Sequence, residues 1–308
     1  MTETASVRHR MLGGVLRAYR DISGLGLEGA AGILECHPSK ISRVENGVRG
    51  IRPREVRELL AEYGVSEQER NALAAIARIG AAAGWWQDHA DMLTRTDREY
   101  LQLEAITHRI EVYEPELVPA LLQTSGYAQA LAGSVQSGGL AALSQARQRE
   151  LFGEHEGTGQ RGPELAVLID EAVLYRMVGG PGVMRAQLVD LVRAARGDVP
   201  RVTVRVLSFS GGARAVGAGG PVTILRFADA PRAGVVYLAR PGPGGTCLVG
   251  QDDLTAYVRT LAALTKAALT PARSAELMRD LAATYDKSDT DLTGTSLTQE
   301  DDRAGALA

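Results

Sequence analysis

The sequence is poor in cysteine and in aromatic residues, and it contains no long apolar run. Its two cysteines, Cys36 and Cys247, fit no metal-binding spacing and cannot staple a chain of this size, so we expect a reducing compartment. No stretch approaches the roughly 18 apolar residues of a membrane span. The apolar run after Arg8 and Arg10 is too short for the core of a signal peptide. These absences predict a soluble, cytoplasmic protein that contacts no membrane.

The sequence also lacks a recognisable catalytic or metal-binding constellation. Its five histidines show no ligand spacing, so we expect no metal ion and no cofactor. Asp170 and Glu171 are adjacent, and neighbouring residues at a strand end point in different directions. The glycines between residues 211 and 220 precede Pro221 and a strand, which is not the context of a nucleotide-binding loop. With no nucleophile–base pair in view, we expect that the protein is not an enzyme.

The charge of the chain is distributed unevenly. A length of 308 residues predicts two domains, and the net charge is only −3. Residues 38–57 nevertheless contain six basic and two acidic side chains, whereas residues 285–308 contain two basic and six acidic ones. A local basic cluster is what phosphate binding needs. The acidic end predicts a disordered tail over residues 286–308.

Residues 1–80 are predicted to form an all-α domain of five short helices. Pro38 and Pro53 suit the first positions of two of these helices, because proline lacks the N–H that would be unpaired there. Ser66 and Glu69 form a capping-box pattern at the start of the last one. The five helices are expected to begin near residues 11, 27, 38, 53 and 66.

The third helix has one apolar and one polar side. Ile41 and Val44 are its apolar anchors, the other side carries serine, lysine and arginine, and Asn46-Gly47 ends it. The helix before it follows a tight connection, and two helices so arranged can hold one of them in the DNA major groove. Many helical bundles contain such a pair and bind nothing, so the pattern alone leaves both interpretations open.

The segment Ser39-Lys40-Ile41-Ser42-Arg43-Val44-Glu45-Asn46-Gly47 resembles the Xre-type, lambda-repressor-like helix-turn-helix family. The resemblance covers about residues 10–66 and implies a role in DNA binding for each polar position. Ser39 and Arg43 would face base edges, and Ser42 would touch a base or a phosphate. Phosphate contacts would come from Lys40, Asn46 and Arg49.

The same resemblance places Glu45 inside the domain, where it would pair with Arg17 or Arg20. Two positions depart from the family pattern. Glu35 stands where the turn usually has glycine, and a left-handed glutamate costs about 1 kcal/mol. Leu27 stands where a polar phosphate contact is common, so anchoring there would fall to backbone N–H groups.

Residues 85–285 are predicted to form an α+β domain, with a helical first half and a small sheet packed with helices. The glycine- and alanine-rich residues 80–84 indicate a junction. Trp85-Trp86 follows it, either as an anchor where the domains dock or as a staple of the second core. Strands are predicted over residues 165–169, 202–209, 222–227 and 235–238. Helices are predicted over residues 97–113, 141–152, 172–178, 183–195, 254–269 and 271–285, and a further helix with Tyr127 is predicted in the second part of residues 117–131. The helix over residues 141–152 is expected to point Arg147, Gln148 and Arg149 outward.

Phrases in this region resemble the WhiJ-like regulators of actinobacteria. They include Trp85-Trp86, Tyr100-Leu101-Gln102-Leu103-Glu104, Val118-Pro119-Ala120-Leu121-Leu122-Gln123 and Arg147-Gln148-Arg149. One departure is Ala120, where that family usually has glycine. The resemblance implies a regulator whose second domain binds a small-molecule effector, a small partner protein or both. Candidate residues for this binding are Trp85, Trp86, Tyr100, Glu104 and Gln123.

The sequence therefore predicts a sequence-specific transcriptional regulator that binds double-stranded DNA. We expect a repressor, acting as a homodimer on an inverted repeat with half-sites about 34 Å apart. The alternative is an antitoxin-like protein of a two-gene module, whose DNA binding autoregulates its own operon. A ligand-binding remnant of an enzyme is the weaker third interpretation.

Overall fold

The computed structural model describes residues 5–79, 84–134, 139–153, 162–210, 219–239 and 244–294. They divide into two compact units. The first unit contains the described residues of 1–113, 149–166 and 214–266. The second contains those of 114–148, 167–213 and 267–308. The helix-turn-helix residues therefore share a unit with part of the sheet, and the proposed domain boundary near residue 80 stays a prediction.

The N-terminal region consists of the five predicted helices. The last four begin within one residue of the expected positions, but the first begins at Val7, four residues before the expected Met11. They are α1 (Val7–Ile22), α2 (Leu27–Ile33), α3 (Pro38–Glu45), α4 (Pro53–Glu62) and α5 (Glu67–Arg78). The Ser66 side chain accepts a hydrogen bond from the Glu69 N–H, which satisfies a free donor of the first turn of α5. Val15, Ile41 and Leu60 are buried in the core between these helices.

The remaining chain contains a six-stranded sheet. Its strands are β1 (Arg109–Glu114), β2 (Glu164–Asp170), β3 (Val202–Leu207), β4 (Val222–Arg226), β5 (Gly234–Leu238) and β6 (Thr246–Leu248), and their order in the sheet is β3-β2-β1-β4-β5-β6. Strand β1 pairs antiparallel with β4, β4 with β5, and β5 with β6. The first pairing places Arg109 opposite Arg226 and Tyr113 opposite Val222.

Helices accompany these strands in both units. In the second unit, α10 (Pro181–Arg196) packs on α12 (Pro271–Gly294), and both pack on β3. The elements are a 3-10 helix (Trp85–Met92), α6 (Arg95–Glu104), a 3-10 helix (Ala120–Leu122), α7 (Ser125–Ser134), α8 (Gly139–Phe152), α9 (Glu171–Tyr175), α10 (Pro181–Arg196), α11 (Gln251–Ala267) and α12 (Pro271–Gly294). An N-terminal helical region followed by helices and a sheet confirms the predicted fold class.

The helix predicted over residues 97–113 is wrong in its second half. Helix α6 ends at Glu104, and β1 begins at Arg109. Within β1, Ile110 and Val112 are buried while Arg109 and Glu111 are more exposed, so the apolar period has changed from the helical value to two. The short strand β6 was also not predicted, because three residues are too few to show a period.

The last helix is longer than the sequence predicted. Helix α12 continues to Gly294, nine residues beyond the expected end at Tyr285. No proline or glycine interrupts residues 286–293, so nothing in the chain stops the helix before Gly294. The rest of the predicted tail, residues 295–308, lies outside the described residues. So do residues 80–83 and 211–218 of the predicted glycine-rich loops.

Among the described residues, no helix is both long enough and apolar enough to cross a membrane.

Candidate DNA-binding surface

The two sides of α3 have opposite environments. Ile41 and Val44 are each at most 2% exposed, which fixes this side of the helix against the domain core. The side chains of Ser39 and Arg43 lie on the other side and are exposed. Asn46 and Arg49, which follow the helix, are exposed as well. Four of the six predicted DNA-binding residues are thus exposed on α3 or shortly after it, and their roles in binding stay a prediction.

Both ends of α3 are closed by local hydrogen bonds. At the start, the His37 Nδ1 accepts a hydrogen bond from the Ser39 N–H at 3.2 Å and lies 2.9 Å from the Ser39 Oγ. At the end, the Asn46 Nδ2 donates to the Ser42 carbonyl at 2.8 Å and lies 3.4 Å from the Ser42 Oγ. The capping role of His37 was not predicted, although its position directly before Pro38 was the available signal.

A buried ion pair attaches α3 to α1. The Arg20 Nε and Nη2 donate to the two carboxylate oxygens of Glu45 at 2.7 and 2.9 Å. Both side chains are nearly buried, with 11% and 5% of their surface exposed. The hydrogen bond with Glu45 raises the pKa of Arg20. This confirms that Glu45 pairs inside the domain and identifies Arg20 as its partner, while Arg17 pairs with Asp21 on the surface.

Lys40 is held by a second ion pair, which joins α3 to α4. Its Nζ lies 2.6 Å from the Glu55 Oε1, and the Glu55 Oε2 accepts a hydrogen bond from the Arg52 N–H at 3.1 Å. Burial opposes the ionisation of Glu55, but the bonds from Lys40 and Arg52 outweigh it and lower the pKa of the carboxyl. A phosphate contact by Lys40, which stays a prediction, therefore has to compete with this carboxylate.

Two glycines permit the close packing of α1 against the end of α3. A Cβ on Gly13 would lie 2.3 Å from the Val44 carbonyl oxygen, a distance that no side chain could tolerate. Gly47 has a φ of 71°, and a Cβ there would lie 2.7 Å from the Cα of Arg10. The position of α3 thus depends on the absence of side chains at two points.

The turn between α2 and α3 keeps its left-handed residue. Glu35 has a φ of 47°, a conformation that glycine adopts without strain. The Cys36 N–H donates to the Ala31 carbonyl at 3.0 Å and closes the turn. The departure in sequence at Glu35 therefore does not change the conformation of the turn at this residue. Helix α2 begins at Leu27 after Gly26, with no side-chain cap.

The candidate residues of the C-terminal region are mostly internal. The Tyr100 O–H donates to the Glu104 Oε1 at 2.9 Å, and both side chains are buried. Trp86 is buried too, and the rings of Trp85 and Trp86 meet edge to face at 6.0 Å. Gln123, in the second unit, donates to the Val118 carbonyl at 2.8 Å. Binding of an effector or partner by these residues stays a prediction.

Gln148 corrects one further expectation. It was predicted to face outward on its helix, but its Nε2 donates to the carbonyls of Ala120 and Gln123 at 2.8 and 2.9 Å. A glutamine buries readily when backbone acceptors are in reach, and helical periodicity gives no sign of such acceptors.

Within the described part of the chain, no cluster of three or more histidine, cysteine, aspartate or glutamate side chains could hold a metal ion.

Two family models match separate parts of the chain. Residues 11–73 match a family model described as a helix-turn-helix domain, and this match supports a DNA-binding regulator. Residues 97–280 match a second model, described as a domain of unknown function, DUF5753. No match was found among curated proteins or among solved structures. The second match covers more than half of the chain, and the protein therefore belongs to the DUF5753 family.

Proposed function

We propose that this protein is a sequence-specific transcriptional repressor of the cytoplasm that binds operator DNA as a homodimer. The observation that carries the proposal is the contrast between the two sides of α3. Its inner side is fixed by Ile41, Val44 and the buried pair of Arg20 and Glu45. Its outer side presents Ser39 and Arg43 to solvent. A rigid helix with an open polar side is what insertion into a major groove requires.

The open side of α3 has the chemistry for two kinds of contact. A guanidinium fork matches two acceptors on the guanine edge, so Arg43 is the candidate for base recognition. Ser39 stands one turn before it, at the end of the helix that reaches deepest in this class of domain. Asn46 and Arg49 lie beyond the helix, where phosphate contacts set the register on the duplex.

Selection of bound duplexes from a random pool with the full-length chain would define the preferred site. Arg43→Ala should then lower affinity for that site by about 1–3 kcal/mol and relax the preference at one base pair. Arg259→Ala, which removes an exposed arginine from α11, is the matched control and should change neither quantity. Mobility-shift titrations at one fixed salt concentration measure both.

Two outcomes would contradict the assignment of α3 as the recognition helix. One is an Arg43→Ala variant that keeps the full affinity and base preference of the parent protein. The other is an equal loss in the Arg259→Ala variant, because this would mean that the loss reflects total charge rather than a base contact.

A homodimer on an inverted repeat makes a separate geometric claim. Its two copies of α3 would enter the groove on one side of the duplex, about 34 Å or one helical turn apart. Footprinting should then show two protected half-sites with this spacing, and light scattering should give the mass of two chains on one duplex. Protection of a single half-site by one chain would overturn the dimer.

A second candidate function is partner binding of the antitoxin type, with autoregulation through DNA. The observation that favours it is an exposed aromatic pair in the second unit, where Tyr175 stacks on Phe209 at 6.0 Å. These rings are 50% and 61% exposed, and exposed apolar surface marks many interaction sites. If the pair binds a partner encoded beside this chain, a Phe209→Ser variant should lose the co-purified partner but keep operator binding.

A further inference from the structure

The first unit contains a cavity of about 520 Å³ beside the start of α1. Arg8 and His9 line it from the first turn of α1. The 3-10 helix that follows the junction contributes Trp86, and α6 contributes Arg98 and Glu99. The volume lies within the range of sites for small organic molecules.

The side chains that line the cavity carry a net positive charge. Glu99 is the one acidic residue among those that line it, and its two oxygens accept hydrogen bonds from the Val7 N–H at 2.7 Å and from the Arg95 Nε at 3.0 Å. Arg98 forms no side-chain hydrogen bond or ion pair among the described residues. The Arg8 Nη1 is buried and has no hydrogen-bond partner within the same part of the chain.

An anion in the cavity would provide hydrogen-bond acceptors that the protein itself does not provide. The exposed Arg98 guanidinium has no acceptor among the described residues, so it can donate charge-assisted hydrogen bonds to a carboxylate or phosphate oxygen in the cavity. Burial also lowers the pKa of Arg8, and an anion beside it would reverse that effect. Trp86, Ile79 and Leu103 add apolar surface to the same cavity. The complementary ligand therefore has an anionic head and a flat apolar body.

We propose that this cavity binds a small organic carboxylate or phosphate ester, which acts as the effector of DNA binding. The regulatory part of this inference rests on the proposed function, whereas the binding part does not. It gives the effector a chemical class and a site formed by described residues.

The cavity is connected to the DNA-binding surface through α1. His9 faces the cavity and also packs on the loop after α3, since a Cβ on Gly50 would lie 2.7 Å from its Nε2. That loop carries Arg49, a candidate phosphate contact. One turn further along α1, Gly13 lies against the end of α3. A ligand that displaces Arg8 or His9 would therefore move the two elements that hold the recognition surface.

Intrinsic fluorescence can test binding, because the only two tryptophans of the chain, Trp85 and Trp86, belong to the 3-10 helix beside the cavity. The full-length protein is titrated with benzoate, with phenyl phosphate and with uncharged benzamide, and calorimetry checks each titration. We expect saturable binding of at least one anion. Benzamide should bind at least about tenfold more weakly, because it cannot accept the charge-assisted hydrogen bonds. A preference between the two anions identifies the head group.

Arg98→Gln should weaken binding of the anion about tenfold, because it removes the exposed guanidinium from the cavity. Arg259→Gln is the matched control outside the cavity and should leave the binding unchanged. No saturable binding of either anion up to about 10 mM would overturn the site. Equal binding of benzamide, or an unchanged Arg98→Gln variant, would overturn it as well.

The effector role is tested with the selected operator and a saturating anion. A change of at least about fivefold in operator affinity, absent from Arg98→Gln, is expected for coupling of ordinary strength. Anion binding with no change in operator affinity would overturn the effector role. If the protein binds anions but selects no DNA sequence, the proposed function fails while the binding site stands.

Discussion

Helices α3 and α6 share several features but have opposite surroundings. Each is short and amphipathic, and each buries a glutamate, Glu45 in α3 and Glu104 in α6. Glu45 meets Arg20 of another helix, and this pair fixes α3 so that its opposite side stays open. Glu104 meets Tyr100 of its own helix, and both are enclosed. A polar residue in a sequence motif therefore predicts an exposed binding surface only when the fold of that motif is already known.

The largest expected effect concerns the buried pair that fixes α3. Arg20→Ala would leave the Glu45 carboxylate buried without its guanidinium and should lower the free energy of unfolding by about 3–5 kcal/mol. Arg17→Ala removes a neighbouring arginine whose ion pair is 61% and 57% exposed, and it should cost less than about 1 kcal/mol. Urea denaturation followed by circular dichroism measures both. Equal losses would show that burial does not distinguish the two pairs.

A second effect belongs to the other unit and depends on pH. Burial, with a smaller contribution from Glu116, raises the pKa of Glu114 to about 8. The protonated carboxyl therefore stabilises the fold fully below the unfolded pKa of about 4.3, and this stability is lost as the pH rises through 8. Since the side chain is partly hydrated, Glu114→Gln should recover about 2–3 kcal/mol at pH 8 relative to pH 4. Parallel unfolding curves of parent and variant across this range would contradict it.

The third effect tests the contact between α1 and α3. Gly13→Ala would force a methyl group against the Val44 carbonyl, so we expect a loss of about 1–3 kcal/mol in stability and weaker operator binding. The adjacent Gly14→Ala is the control. A Cβ at Gly14 would meet only the Val249 carbonyl oxygen, at 3.9 Å, so this substitution should raise the free energy of unfolding by about 0.5–1 kcal/mol through helix propensity. The idea of a tight contact fails if both alanines act alike in denaturation and mobility-shift measurements.

The smallest effect compares one buried hydroxyl from each region. Tyr100→Phe removes the donor to the buried Glu104 and should cost about 1–2 kcal/mol. Among the described residues the Tyr63 hydroxyl has no hydrogen-bond partner, and burial raises its pKa to about 12. Tyr63→Phe should therefore be neutral or stabilise by up to about 1 kcal/mol. Thermal unfolding of the two variants measures both changes in stability. A larger loss in Tyr63→Phe than in Tyr100→Phe would contradict the comparison.

The N-terminal helices could be predicted from sequence because their signals are local. Pro38 and Pro53 mark helix starts, and the nine residues from Ser39 to Gly47 specify one helix and its end. The inward position of Glu45 was implied by the family resemblance of the same segment. The predicted Lys40 contact ignored Glu55, since no pattern in the third helix reveals a carboxylate that approaches from the next one.

The C-terminal region was harder to predict because its decisive contacts are distant in sequence. Residues 109–114 look helical as a continuation of α6, and only the pairing with β4 shows that they form a strand. Arg8 and Arg98 come together in the cavity although 90 positions separate them. Local periodicity contains no information on such encounters, which arise from the packing of α1 beside α6.

The ion pair between Lys40 and Glu55 has a consequence for ionic strength. A cation that is already neutralised by a carboxylate displaces no counterion from DNA, so Lys40 adds nothing to the salt sensitivity of binding while it stays in this pair. Glu55→Gln would free the ammonium for a backbone phosphate. The double-logarithmic plot of affinity against salt concentration should then steepen by about 0.9, the increment for one additional contact.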